Sequence, residues 1–339
     1  MTSQRAQLIT IDEEPTDPSY GSLPESRSIP QLLKYGLIAL DKPRGPSSHE
    51  VVAWVRRILG VERAGHSGTL DPPVSGLLPI GLGNSTKALS LLLLLPKEYW
   101  AVMRIHSSVP RPLVERVIGE FTGEIYQRPP QRSSVKRDVR TRSVYELELA
   151  EAEGNLFLMR CLCQSGTYVR KLIYDIGEVL GVGATMVELR RTKVGPIKEE
   201  DGFVTLHELS DAVYRMKAES DETGFRACVM PVERILGPFK KVMVRDSAVD
   251  AVCHGAKLAV PGILAVSAEL SHGDITVVTS AKGELVALGK ALMSSSEIES
   301  SKRGLAVSVQ RVIMDSGTYP KMWKSKSKPS PAETSSHDR

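Results

Sequence analysis

Cysteine is scarce in this chain. Four residues in 339 (Cys161, Cys163, Cys228 and Cys253) are cysteines, and none stands in the paired spacing of a zinc site. That argues against a disulfide-built scaffold and predicts reduced thiols in an intracellular protein, with no structural metal and no other cofactor. Long apolar runs are lacking too. The longest, "LLLLL" at 91–95, is far below membrane-spanning length and reads as the buried end of a helix that begins near Ser85. The opening "MTSQRAQLITIDEEPTDPSY" is too acidic, and its apolar run too short, for a signal or transit peptide. Charge of one sign is also missing as a global property: 44 Lys and Arg stand against 40 Asp and Glu, a formal +4. Any basic site must therefore come from clustering.

What is present reads as a soluble globular chain long enough for two domains, with 41% hydrophobic and 25% charged residues. "YGLIALDKP" (35–43) predicts a buried strand ended by Pro43, and "SSHEVVAWVRRILG" (47–60) a helix capped by Ser47 or Ser48 and ended by Gly60. "YWAVMRIH" (99–106) predicts a strand, and "VYELELAEAEGNLFLMRCLC" (144–163) a hairpin turning at Glu153-Gly154-Asn155. "TYVRKLIYDIGEVLG" (167–181) returns to helical spacing, with Leu172, Ile176, Val179 and Leu180 expected inside. Strands and helices without regular βαβ alternation indicate an α+β fold. Beyond Gly237-Pro238 the texture changes to short strands about every ten residues, the rhythm of a small β-barrel. The expected organisation is a polar N-terminal extension at 1–28, a main domain at 29–236, the barrel at 237–323 and a disordered tail at 324–339.

One carboxylate stands apart. In "GHSGTLDPPVSG" (65–76), Asp71 lies between a glycine-rich turn and two prolines, with no second acid nearby. An Asp-Pro turn is ordinary loop punctuation. Yet Pro72 excludes the helical region for Asp71 and Pro73 stiffens the next step, so the carboxylate rides on rigid backbone, as a nucleophile or general base requires. Three further segments bear on it. "RPPQRSSVKRDVRTR" (128–142) sets Arg128, Arg132, Lys136, Arg137, Arg140 and Arg142 against the single acid Asp138. It reads equally as a solvated face or as a loop that meets phosphates. In "SGTYVRKL", Tyr168 and Arg170 open a helix, and in "KEYWAV", Tyr99 opens a strand; core packing or a surface ion pair would account for each taken alone.

Together, "GHSGTLDPPVSGLLP", "KEYWAV", "SGTYVRKLIYDIGEVLG" and "VELRRTKVGP" resemble the successive motifs of the TruB-like pseudouridine synthases. "RPPQRSSVKRDVRTRSVY", a 240–323 barrel similar to a PUA domain, and "YPKMW" near the end narrow the resemblance to the dyskerin branch, the catalytic subunit of box H/ACA guide-RNA particles. The resemblance spans about 19–324. It implies a catalytic domain with a central mixed, mainly antiparallel sheet plus a PUA barrel.

For the site, the resemblance implies Asp71 as the catalytic aspartate, acting at the sugar either as nucleophile at C1′ or as base at C2′. A single acid suffices because, unlike glycoside hydrolysis, the reaction consumes no water. Arg170 matches its ion-pair partner, Tyr99 the residue that stacks on the target base, and Tyr168 and Leu189 other pocket-lining positions. His66 matches a position that fills the space a flipped base vacates in tRNA-specific relatives. The barrel likeness places RNA at His254, Gly255, Ala256 and Lys257. The implied partners are a guide RNA, a target RNA and three small core proteins: a zinc-ribbon-like protein, a Gly/Arg-type β-barrel protein and a kink-turn-binding ribosomal-type protein. No membrane is implied. The lack of Lys-rich terminal tails predicts an archaeal-type, cytoplasmic protein; a eukaryotic source would make it nucleolar. Two other readings stand beside the guided enzyme: a standalone tRNA synthase and a non-catalytic RNA-binding scaffold, the latter having no need of Asp71.

Overall fold

The computed structural model describes residues 7–128 and 138–322. The chain first visits the smaller of two sheets, where β1 (Leu8–Thr10) lies antiparallel to residues 265–267 of the barrel. It then builds the larger sheet. Helix α1 (Ile29–Tyr35) leads into β2 (Gly36–Lys42) and α2 (Ser48–Leu59). The α2 ends obey local chemistry. Ser47 accepts from the Glu50 amide at 3.2 Å, Glu50 accepts from the Ser47 amide at 2.7 Å, and Gly60 closes the helix at φ +68°.

Strands β3 (Ala64–His66) and β4 (Ser75–Leu82) flank the Asp71 loop, and a short α3 (Leu89–Leu92) precedes β5 (Lys97–Ile105). Helix α4 (Arg111–Glu120) and β6 (Gly123–Gln127) follow. The long hairpin of β7 (Arg140–Glu153) and β8 (Leu156–Cys163) turns at Gly154, which takes φ +58°. Helix α5 (Val169–Val179), β9 (Ala184–Val194), β10 (Ile197–Lys198), α6 (Leu206–Ala218), α7 (Thr223–Cys228) and β11 (Met230–Pro231) complete this part.

The larger sheet has ten strands, eight of them in the order β11-β2-β4-β9-β5-β8-β7-β6, with β3 beside β4 and β10 beside β9. Every pairing is antiparallel except β4 with β9, which run parallel through Ser75–Gly76 and Arg190–Arg191. Alternation decides its faces: Phe157, Met159, Cys161 and Cys163 of β8 point to one side with Ala101 and Met103 of β5, into a core shared with Val55 of α2, Ile118 of α4, Ile176 of α5 and Leu209 of α6. None of the four cysteines is disulfide-bonded. No described helix is long and apolar enough to cross a membrane.

The smaller sheet comprises β12 (Lys240–Val244), α8 (Asp246–Cys253), β13 (Leu258–Ala259), β14 (Ile263–Ser267), β15 (Ile275–Ser280), β16 (Leu285–Ala291), α9 (Ser295–Ser300) and β17 (Leu305–Val312), strands and interspersed helices together. Its seven strands run β1-β14-β12-β15-β16-β17-β13 around a core that includes Val242, Val266, Val286 and Val307. The whole is an α+β molecule with a mixed, mainly antiparallel main sheet and a small curled β-domain.

Three local expectations give way. The five leucines are not a continuous buried helix end. A 3-10 turn at Gly83–Lys87 precedes α3, and Leu91, Leu92 and Leu95 are buried while Leu93 and Leu94 are about half exposed. Pro96 cannot continue the helix, and Lys97 satisfies its free end by donating to the Leu92 and Leu95 carbonyls, both at 2.7 Å. The buried leucines join Val232, Ile235 and Phe239 with Val277, Leu285 and Leu288 of the β-domain, in the cluster that seals the two sheets together. In α5, Val179 is exposed and Ile173 takes the inner position, because the apolar face ends one turn earlier than the spacing suggests. The N-terminal stretch, expected as a polar extension, packs on the β-domain over residues 8–16: β1 adds an edge strand, Arg245 pairs with Asp12 at 2.5 Å and Glu14 at 3.0 Å, and Thr16 donates to Asp246 at 2.9 Å.

Candidate active site and RNA-contact surfaces

The loop between β3 and β4 carries Asp71, and its backbone is held at almost every turn. The Asp71 carbonyl accepts from the Val74 amide at 3.0 Å, and the Pro72 carbonyl from the Gly45 amide at 2.8 Å. Ser48, at the start of α2, uses its hydroxyl to accept from the Leu70 amide and to donate to the Leu70 carbonyl, both at 2.9 Å. Two fully buried cations complete the hold. Lys42 donates to the carbonyls of Pro43 (2.8 Å), Val74 (2.9 Å) and Pro72 (3.3 Å). Arg191 donates from Nε to the Leu77 carbonyl and from Nη2 to the Gly68 carbonyl, both at 2.8 Å. Burial pushes the Lys42 ammonium below its ordinary pKa, and the nearby Asp71 carboxylate pulls the other way.

Glycine is needed at two places here. Gly76 takes φ +98°, and a Cβ there would meet the Arg191 carbonyl oxygen at 2.2 Å, so only glycine lets the loop end lie against β9. Gly68 takes φ +70°, with Arg191 Nη1 3.1 Å from where a Cβ would be.

Asp71 meets Arg170 directly: the guanidinium Nη2 donates to Oδ2. Both side chains are about half exposed, 56% for Asp71 and 49% for Arg170, so the pair lies at the mouth of the site rather than beneath it. Arg170 is presented by the first turn of α5. The residue before that helix, Tyr168, is gripped by buried Gln127 of β6, which accepts from the Tyr168 amide at 2.9 Å and donates to its carbonyl at 3.1 Å. Tyr99 lies opposite Arg191 in the β5–β9 register, and Leu189 opposite Ala101, so Tyr99, Leu189 and Arg191 share one sheet face. Burial raises the Tyr99 phenol pKa, with the Arg191 guanidinium acting against it. His66, at the end of β3, stacks edge-on against His49 with ring centroids 5.1 Å apart. Its Nδ1 is buried and has no hydrogen-bond partner among the described residues. Burial, with His49 and Arg191 adding, lowers its pKa, which favours the neutral ring.

The structure thus joins Asp71 to Arg170 at the start of α5, next to Tyr168 in the chain, and sets Tyr99 and His66 near Arg191, with Leu189 on the same sheet face. Lys42, Ser48, Gln127 and Arg191 were not singled out from the sequence. The available signal for Lys42 was a charged residue at the end of an apolar strand, "LIALDK", whereas Arg191 lies among other charged residues of β9 and gave none. Of the basic segment, Arg132, Lys136 and Arg137 lie outside the described residues. Arg128 is exposed and Arg140 begins β7, where it pairs with Gln127 of β6, the residue that grips Tyr168. His254, Gly255, Ala256 and Lys257 are all exposed at the end of α8. Gly255 takes φ +82°, and a Cβ there would meet nothing, so its backbone faces open space. Such an arrangement offers one positioned, half-exposed carboxylate with an adjacent cation at the protein surface.

Comparison with known proteins bears on what that pair does. Residues 56–169 match the TruB family pseudouridylate synthase N-terminal domain, and 170–237 the tRNA pseudouridylate synthase B C-terminal domain. Residues 240–313 match the PUA domain, and 3–52 the DKCLD (NUC011) domain. A probable tRNA pseudouridine synthase B of Pyrobaculum arsenaticum is 50% identical over 324 residues, 96% of this chain and 98% of the relative. Among solved structures, a chain of a Cbf5-Nop10-Gar1 complex is 48% identical with a TM-score of 0.89, covering 94% of this chain and 97% of that one. A chain of an H/ACA RNP bound to a substrate RNA containing 2′-deoxyuridine is 46% identical with a TM-score of 0.88, over 94% and 97%.

Proposed function

Because the chain belongs to the TruB family of pseudouridine synthases, enzymes that isomerise uridine within RNA, we propose that it acts as the RNA-guided catalytic subunit of a box H/ACA particle on ribosomal RNA. The observation that carries this reading is the likeness, over 94% of the chain, to proteins solved in a Cbf5-Nop10-Gar1 complex and in an H/ACA RNP with substrate RNA. On this reading a guide RNA pairs with the target, the exposed barrel edge at His254–Lys257 meets the guide, and three small core proteins assemble on the enzyme: zinc-ribbon-like, Gly/Arg-type β-barrel and kink-turn-binding.

The chemistry needs one carboxylate. The bond between uracil N1 and C1′ breaks, the base turns, and C5 bonds to C1′; C5 then gives up its proton and N1 gains one, so no water is consumed. Asp71 serves this either by bonding to C1′ while the base is detached or by taking and returning the C2′ proton. Arg170 orients the carboxylate and stabilises its ionised form once RNA displaces the water around it. A paired uridine is out of reach, so the target nucleotide must leave its stack, at a cost of about a few kcal/mol that stacking on Tyr99 offsets in part.

A second reading is favoured by the name of the Pyrobaculum relative: direct action on tRNA without a guide. Mass spectrometry of pseudouridine in a ribosomal RNA fragment and in tRNA, with and without guide RNA and core proteins, separates the two. Conversion of the fragment only with a complementary guide is expected. Conversion of tRNA alone, indifferent to guide, would favour the second reading and overturn the first.

A further inference from the structure

Arg191 is 1% exposed, and among the described residues no carboxylate lies within ion-pair distance of it. A buried guanidinium left without an acid is costly unless its donors are satisfied, and here two backbone carbonyls accept from it while the Tyr99 phenol interacts with it as well. Those carbonyls belong to Gly68, three residues before Asp71, and Leu77, six residues after it. The Arg191 backbone is also the surface against which Gly76 is pressed, and the residue faces Tyr99 across the β5–β9 register. One side chain therefore touches both ends of the catalytic loop while standing beside the base-facing aromatic.

We propose that Arg191 is a positioning residue for the isomerisation: its planar fork fixes the separation of the two ends of the Asp71 loop and sets that loop against Tyr99, so that the carboxylate and the stacked base meet in reactive geometry. Arginine is required rather than lysine, since a single ammonium presents a point charge and cannot span the Gly68 and Leu77 carbonyls along one plane. The role rests on the family's isomerase activity and is independent of whether a guide RNA directs it.

Arg191→Lys tests this in the full chain, assayed on whichever RNA the wild-type protein converts. The expected result is a fall in single-turnover rate of about a hundredfold, the scale of an ångström-sized misplacement. Affinity for target RNA should be unchanged, and amide hydrogen exchange should rise at residues 68–77 but not in β5 or β8. A merely structural role would instead lower the melting temperature and raise exchange throughout the sheet, with the folded fraction turning over at the wild-type rate; that result overturns the proposal. Should the lysine variant not fold, Gly68→Ala keeps Arg191 in place and pushes a methyl group against Nη1. A comparable fall in turnover supports the proposal, and wild-type turnover in Gly68→Ala overturns it.

Discussion

Arg170 and Arg191 both act on the Asp71 loop, from opposite sides and in different surroundings. Arg170 is about half exposed and meets the carboxylate itself, whereas Arg191 is buried and donates to the backbone on either side of it. Lys42 belongs with Arg191, since it too is fully buried and holds loop carbonyls. An exposed ion pair contributes little to folding, typically about 0–1 kcal/mol, because water screens it. Arg170 is therefore replaceable as far as stability goes, and on the proposed function its effect falls on the chemistry. The buried cations are the reverse: removing one leaves carbonyls unsatisfied beneath the site and changes the shape of the loop. On the proposed function, buried charge sets the loop's geometry and exposed charge serves the reaction.

Arg170→Ala gives the largest separation between the two roles. Turnover should fall by about a hundredfold or more, the scale for losing one positioned electrostatic partner, while the melting temperature stays near that of the wild type. Equal turnover would remove the distinction. A smaller effect is expected from the basic segment. Replacing Arg132, Lys136 and Arg137 by Ala should flatten the salt dependence of target binding by a slope of about two, at about 0.7 per single-strand phosphate contact, and reduce turnover more than guide binding. Parallel lines at several salt concentrations would mean that the basic segment is only a solvated face.

A last effect, on stability alone, concerns Lys97, another buried cation, whose ammonium holds Leu92, Leu95 and the Ser165 hydroxyl. Burial, with the Arg191 charge adding, pushes its pKa down to about 8 from an ordinary value of 10.5. A depressed folded-state pKa means that the unfolded chain binds the proton more tightly. The stability contributed by neutral Lys97 is therefore complete above 10.5 and is lost as pH falls through 8. Denaturant titrations should show wild type gaining stability between pH 8 and 10.5 by at most about 3 kcal/mol, a gain that Lys97→Met lacks. The same slope in both would assign it to other groups.

Much of this was legible because local chemistry decided it. The Ser47 cap and Gly60 stop of α2, the Gly154 turn, the alternation of β8 and the β-domain strands all follow from residues within a few positions of one another. What escaped was set by distant partners. Nothing within "LLLLL" says that Leu93 and Leu94 face out, because the β-domain decides it. Nothing within "QLITIDEE" says that residues 8–10 will complete the edge of a sheet built 250 residues later. Within the site, Asp71 was visible through its prolines and Arg170 through the family's motif, whereas Lys42, Gln127 and Arg191 act through backbone atoms that only the fold brings near them.

The central claim is that a single carboxylate on a rigidly held loop performs the isomerisation while other parts of the chain grip the RNA. The most direct measurement is pseudouridine formation by Asp71→Asn, a change that keeps size and turn chemistry and removes only the charge, with target-RNA affinity measured alongside. The expected result is wild-type affinity, an unchanged melting temperature and no pseudouridine above a control without enzyme. Product above that control would contradict the claim.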